Sequence, residues 1–351
     1  MSEILIHRGT PRQIRRWVMK CVTKGLVPFV QSSPGMGKST IMKSIARELR
    51  LKCIDHRMST SAPEDMSGLP RFTEDGFAKF APFAELFPLE GMDLPKNSEG
   101  VELDGWMLFL DEWNSAKKEV QAASYKLVLD KMVGQHNLHS NVVITAAGNL
   151  ATDRAIVNAL STAMQSRVVH LEMICDFDEW LYDVALLEEY DPRIIGFLSM
   201  YKSKLMDFDP KHNEKTFCCP RTWEFMNALI LDEEVIDADA ALYAGTITSG
   251  VATSFIQFCQ IYKELITVDE ILKDPDGCRI PSDTASKWAI ITAIMERIDE
   301  KNFEDLAQYV NRFSLDFKVL FFRSVMVRTP ELRNHKSFAS AMQNLAQYLK
   351  G

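Results

Sequence analysis

The 351-residue chain has no uninterrupted apolar run of the roughly 18 residues a membrane-spanning helix needs, which argues against a spanning helix and a membrane partner. It has no C-x-x-C pair: its seven cysteines are scattered and odd in number. That argues against a disulfide framework or clustered metal ligands and leads us to expect reduced thiols in a cytoplasmic setting. The adjacent Cys218 and Cys219 read as packing residues rather than a redox pair. There is no basic run, and the net charge is −8, which argues against nucleic acid as the main ligand. Arg8, Arg12, Arg15 and Arg16 lie near the start without an apolar core or small-residue cleavage site, so no signal peptide is expected. Ile14, Trp17, Val18, Cys21 and Val22 instead fall on one face of a helix. No internal repeat is evident.

What is present is the composition of a globular protein, 46% hydrophobic and 25% charged, long enough for two or three domains. Charge is divided unevenly. Residues 1–57 hold 12 Lys and Arg against 3 Asp and Glu, residues 310–351 hold 7 against 2, and residues 58–309 hold 21 against 43. Such a split fits complementary surfaces that meet, and equally fits solvated faces.

Strand-like segments at Val27–Gln31, Leu51–His56, Trp106–Leu110, Asn141–Ala146 and Val168–Met173 alternate with helical ones, which predicts a parallel sheet with helices on both faces. The stretch 58–100 is rich in Pro and Gly, and a hairpin around Glu74-Asp75-Gly76 is expected there. Phe72, Phe77, Phe80, Phe83 and Phe87 argue against disorder there; Arg71 with Phe72, or Phe77-Ala78-Lys79-Phe80, is a candidate surface towards a partner, and packing of these phenylalanines on the core is the reading preferred over it. Beyond about residue 174, helical patterns take over at 176–189, 191–206, 220–233, 238–263, 284–298, 302–313, 316–328 and 336–349. The expected division is 1–173 as an α/β domain, 174–265 as a helical domain and 266–351 as a C-terminal helical region.

Residues 32–39, Ser-Ser-Pro-Gly-Met-Gly-Lys-Ser, stand between a predicted strand and a predicted helix. Strand, glycine turn and helix make a phosphate-binding P-loop, in which free N–H groups and the helix dipole favour an anion. Ser33, Pro34, Gly35, Met36, Gly37, Lys38, Ser39 and Thr40 are the candidate nucleotide-binding residues. Lys38 would reach the β- and γ-phosphates and Ser39 would hold Mg²⁺. Ser32 stands where the strict pattern has its first glycine.

Trp106–Leu110 is an apolar strand running into Asp111 and Glu112, a Walker B pattern in which Asp111 would bind Mg²⁺ and Glu112 would polarise water. The strand that begins at Asn141 runs into the polar Asn149, which could orient that water. Arg167 follows an expected helix, Ala155–Ser166, where a cation also suits the helix end; Arg154 is a second candidate nearby. Arg221 follows Pro220 at a predicted helix N-terminus, the wrong end for a cation, which a phosphate or carboxylate would relieve.

In this order the motifs resemble an AAA+ ATPase of the MoxR type, the branch with a helix-2 insert. Pro63–Pro70 resembles the segment leading to that insert. Asp111-Glu112-Trp113-Asn114-Ser115-Ala116 resembles its Asp-Glu-x-Asn-x-Ala, and Ala159-Leu160 with Ser166-Arg167-Val168 resembles its Ala-Leu and Ser-Arg-Phe. The resemblance covers roughly residues 10–235. It implies a P-loop NTPase core with a helical lid at 174–265, and a ring-forming chaperone or remodelling ATPase with ATP and Mg²⁺. Asn149 would be sensor 1, Arg167 a finger reaching a neighbouring subunit's nucleotide, and Arg221 sensor 2. It also implies a homo-oligomeric ring, usually a hexamer, acting on a protein substrate, often with a von Willebrand A-type partner. A nucleotide-gated adaptor with little hydrolysis and a DNA-associated motor or clamp-loader-like subunit are the alternatives.

Overall fold

The computed structural model describes residues 8–153 and 157–349. The chain divides into two compact units, Met1–Cys175 and Asp176–Gly351. In the first, strands β1 (Arg8–Gly9), β2 (Pro28–Ser32), β3 (Leu51–Arg57), β4 (Leu69–Phe72), β5 (Ala78–Ala81), β6 (Gly105–Asp111), β7 (Met132–Val133), β8 (His136–Asn137), β9 (Val142–Asn149) and β10 (Val169–Met173) form one large sheet and two hairpins. The large sheet is parallel throughout, in the order β1-β10-β2-β9-β6-β3. All five strands expected from the sequence are in it, shifted by a residue or so at most ends and by three at the end of β9. The extra edge strand β1 has only two residues, too few to leave a periodic signal.

Each face of the sheet carries its own core. Phe29, Leu108, Leu110, Trp113 and Ile144 belong to one cluster. Val30, Met107, Phe109 and Ala147 belong to the other, with Ile14 and Val18 of helix α1 (Pro11–Thr23) and Met42 and Ile45 of helix α2 (Lys38–Glu48). Alternate residues of β6 thus serve opposite faces, and the whole strand is buried, which is why it reads as an unbroken apolar run. Thr10 starts α1 with a capping box to Gln13, and Pro11 occupies its first turn.

β4 and β5 form the expected hairpin, turning through Thr73–Gly76 with Phe72 opposite Ala78 and Arg71 opposite Lys79. The phenylalanines do not all pack on the core. Phe87 is fully buried, but Phe72, in a strand whose every residue faces solvent, and Phe77, in the turn before the other strand, are 77% and 71% exposed.

The second unit is helical, as expected from the loss of alternation. Its longer helices are Pro192–Met200, Pro220–Ile230, Ser249–Lys263, Thr284–Glu296, Leu315–Arg328 and Lys336–Leu349. Thr284–Glu296 packs against Pro192–Met200. Several details differ from the sequence reading, among them the segment 191–206, which is α-helix only over Pro192–Met200 and a 3-10 turn over Lys202–Leu205. The segment 238–263 is two helices, broken at Thr248, whose φ of 79° lies outside the helical region. The segment 176–189 passes from α-helix into a π turn at Leu181–Ala185. Val268–Lys273 is an additional helix, closed by a capping box between Thr267 and Glu270. Among the described residues, no helix is long and apolar enough to cross a membrane.

Candidate active site

The C-terminal ends of β2, β6 and β9 bring the predicted residues of the first unit together. β2 ends at Ser32 and the chain turns through Gly35 (φ 74°) and Gly37 (φ 81°) into α2. Gly37 caps α2 in the left-handed region that a side chain would strain. The N–H groups of the first turn of α2 have no carbonyl partner within their own helix. Ser33, Pro34, Gly35 and Met36 form the turn itself, and Lys38, Ser39 and Thr40 open the helix.

Lys38 Nζ folds back over the turn. It lies 3.1 Å from Ser32 O, 3.0 Å from Ser32 Oγ, 3.3 Å from Ser33 O and 3.5 Å from Asn149 Oδ1. Ser32 therefore replaces the pattern's glycine without forcing a left-handed backbone, and its hydroxyl becomes one of the lysine's partners. One helical position on, Ser39 Oγ donates to Asp111 Oδ2 at 3.0 Å.

Asp111 is buried at the end of β6, and Arg57 at the end of the adjacent β3 stands 3.7 Å from its Oδ2. Glu112 follows in the left-handed region at φ 54°, a conformation costing of order 1–3 kcal/mol for a non-glycine residue. Its N–H donates to Asp111 Oδ1 at 2.9 Å, which helps hold the turn, and its carboxylate accepts from the Ser59 hydroxyl. His56, one residue before Arg57, is buried with Nε2 2.8 Å from Ser61 Oγ. Burial pushes its pKa below the ordinary 6.5, with Asp65 and Asp55 acting the other way.

Asn149 is held from β6's side. Asn114 Oδ1 accepts from Asn149 N at 3.0 Å and Asn114 Nδ2 donates to Asn149 O at 2.7 Å. Asn149 Nδ2 also donates to Ser115 Oγ at 3.4 Å. Sequence reasoning gave no role to Arg57, Ser59 or Asn114. Asn114 and the glycine before Asn149 were visible as motif letters; Ser59 left no signal.

Arg167 is exposed and donates to Ala163 O at 2.8 Å, so it closes the end of its own short helix, Thr162–Gln165. The expected helix Ala155–Ser166 is not formed over 157–160, where Asn158 is tied to Asn114 O and Ala116 O. Its first two residues, and Arg154, lie outside the described residues. Arg221 is in the second unit, directly after Pro220 at the N-terminus of Pro220–Ile230, with no hydrogen-bond or ion-pair partner among the described residues.

The donor set fits the groups the sequence calls for. Two left-handed glycines leading into a helix N-terminus suit a phosphate. The Ser39 hydroxyl and the buried Asp111 carboxylate, already in contact, suit a hard cation such as Mg²⁺. Among the described residues, no group of three or more His, Cys, Asp or Glu gathers as a metal cluster.

No family model and no curated protein matches the chain in sequence. Solved structures similar to it include a "putative ATPase" from Cytophaga hutchinsonii, at 13% identity and TM-score 0.35, covering 96% of this chain and 88% of that one. The Thermotoga maritima RuvB Holliday junction branch migration motor follows at 14% and 0.32, covering 96% and 80%. NtrX from Brucella abortus stands at 13% and 0.34, covering 94% and 67%. At such identities and scores, function has to be read from the site's own geometry.

Proposed function

We propose that this protein is an ATP-hydrolysing AAA+ ATPase of the MoxR type that works as a homo-oligomeric ring, a hexamer in the resemblance, and remodels a protein partner. The observation that carries this reading is the meeting of three strand ends: Lys38 with Asn149, and Ser39 with Asp111. Lys38 and the first-turn N–H groups of α2 bind the phosphates. Ser39 and Asp111 hold Mg²⁺, which when bound neutralises charge developing on the phosphates. Glu112 would polarise the attacking water, and Asn149 would help to orient it. Arg167 acts on a neighbouring subunit's nucleotide, and Arg221 serves as sensor 2 in a lid of residues 174–265, with 266–351 a further helical region. A von Willebrand A-type protein is the partner class the resemblance supplies, and the cytoplasm the setting.

A nucleotide-gated adaptor with little hydrolysis is the second reading. The contact favouring it is that between Ser59 and Glu112, which occupies the carboxylate meant for water. Turnover measured against protein concentration, with size by light scattering, separates the two. Specific activity that rises as a ring assembles, and that Glu112→Gln and Arg167→Ala each abolish without loss of assembly, supports the ATPase. Flat, negligible turnover by a chain that binds ATP supports the adaptor.

A further inference from the structure

β9 outlasts its neighbour. β6 pairs with it only as far as Leu110 opposite Ala146 and ends at Asp111, which faces Arg57 of β3, whereas β2 continues alongside β9 to Ser32 opposite Asn149. The last residues of β9 therefore lose their strand partner on the β6 side. The Asn114 side chain stands in for it. Its primary amide presents one acceptor and one donor, as a peptide group does, and pairs with both the N–H and the carbonyl of Asn149. Asn114 is 2% exposed, so water does not take over either bond.

A second observation shows that the backbone is shaped for this contact. A Cβ on Gly148 would lie 2.2 Å from Asn114 Oδ1 and 2.7 Å from its Cγ, and the φ of Gly148 is not left-handed. Glycine is needed there for room, not for conformation. The Asn114 carbonyl in turn accepts from Asn158 N at 2.7 Å, which fastens the segment leading towards Arg167 to the same turn.

We propose that Asn114 is a positioning residue: its amide pair fixes the end of β9 so that the Asn149 side chain is set against Lys38. This rests on the ATPase reading above. Asn114 touches neither nucleotide nor water itself; it acts through Asn149, whose Oδ1 stands 3.5 Å from Lys38 Nζ. Loosening it impairs the chemical step more than the binding of ATP, because the phosphate-binding turn and α2 belong to a different part of the chain.

The test uses the full-length protein and ATP with Mg²⁺, below the melting temperature of every variant. Asn114→Ala is expected to lower kcat by about tenfold or more while the dissociation constant for ATP stays within about threefold. Amide hydrogen exchange over residues 147–150 is expected to speed up in the same variant. Gly148→Ala, which drives a methyl into the Asn114 amide from the opposite strand, is expected to reproduce the kinetic loss. The double variant should lose less than the sum of the two single losses, since with Ala at 114 the added methyl no longer meets that amide and meets only the Phe29 ring edge, 2.9 Å from that Cβ. Wild-type kcat in folded Asn114→Ala, equal losses in kcat and ATP affinity, or fully additive losses in the double variant overturn the proposal. If the wild-type chain binds ATP without turning it over, the ATPase reading fails, and exchange decides the positioning role. Slowing at 147–150 on ATP binding that Asn114→Ala abolishes supports it, and identical slowing in both chains overturns it. A wild-type chain that neither binds nor hydrolyses ATP overturns both.

Discussion

Replacing Ser32 by glycine restores the strict P-loop pattern, and on this structure it should weaken the first unit. Ser32 is fully buried, its Oγ is 3.0 Å from Lys38 Nζ, and its hydroxyl donates to Ser33 O at 2.9 Å. A hydrogen bond to a charged group contributes about 1.5–3 kcal/mol. The lower end applies, because Lys38 keeps Ser32 O and Ser33 O as acceptors. Glycine in a strand adds a cost of about 0.5–1 kcal/mol from the greater freedom of the unfolded chain. The total, about 2–2.5 kcal/mol, corresponds to a fall in melting temperature of about 4–10 °C for a unit of this size. Ser32→Ala loses the hydrogen bond but not the backbone term, and should fall about 0.5–1 kcal/mol short of the glycine variant. Calorimetry gives the midpoints, and hydrogen exchange over residues 28–32 assigns the loss to the first unit rather than the second. Binding of ATP should persist in both variants, since the turn at Gly35 and Gly37 and the first turn of α2 are left in place. A Ser32→Gly protein as stable as wild type, or more so, refutes the claim that the hydroxyl is a structural partner of Lys38.

Three further outcomes follow from the same structure. Arg193→Ala should cost the second unit about 3–5 kcal/mol by urea denaturation, because it strands the buried Asp191 carboxylate that Arg193 pairs with through both nitrogens at 2.8 and 2.5 Å, and also frees the carbonyls of Ile230 and Glu233. His56 has its folded pKa lowered by burial, so the unfolded chain takes up the proton first. The stability due to neutral His56 is complete above the ordinary value of 6.5 and is lost as pH falls from there through the folded value; denaturation midpoints between pH 7.5 and 5 should fall less steeply in His56→Gln, and an unchanged slope counts against the assignment. Burial pushes the thiols of Cys218 and Cys259 up to about 12 and that of Cys53 up to about 11. A thiol reagent at pH 8 should therefore leave Cys218 and Cys259 unmodified until the protein is denatured, as read by mass spectrometry.

The large sheet was legible because its strands are buried on both faces or alternate between two cores, and both patterns survive in a single sequence. Asp111, Glu112 and Asn149 were legible for a related reason: a polar residue after an apolar run marks where a strand leaves the core. The helix boundaries of the second unit were less so. Thr248 breaks a helix although nothing in Ile247-Thr248-Ser249 marks a stop, and the turn at 181–185 widens within an unbroken helical pattern. The expectation for Phe72 and Phe77 failed because composition counts aromatic residues without saying which face they take. On a hairpin exposed on both sides, no register buries Phe72, and Phe77 lies in the turn between the strands.

The part of the site that stayed hidden is the part that crosses between strands. Lys38, Ser39, Asp111 and Asn149 each announce themselves within a few neighbouring residues. Ser59 reaches Glu112 across 53 positions of sequence and Asn114 reaches Asn149 across 35, by contacts that exist only once the sheet order is set. Those contacts also differ in kind. The motif residues present side chains to the space beside the P-loop, whereas Ser59, Arg57 and Asn114 present theirs to the motif residues. A substitution at the first group removes a donor or a charge outright. One at the second leaves every donor present and alters where it points, so it should show in turnover before it shows in binding. That ordering follows from the geometry alone, and it holds whether the nucleotide drives a motor or gates an adaptor.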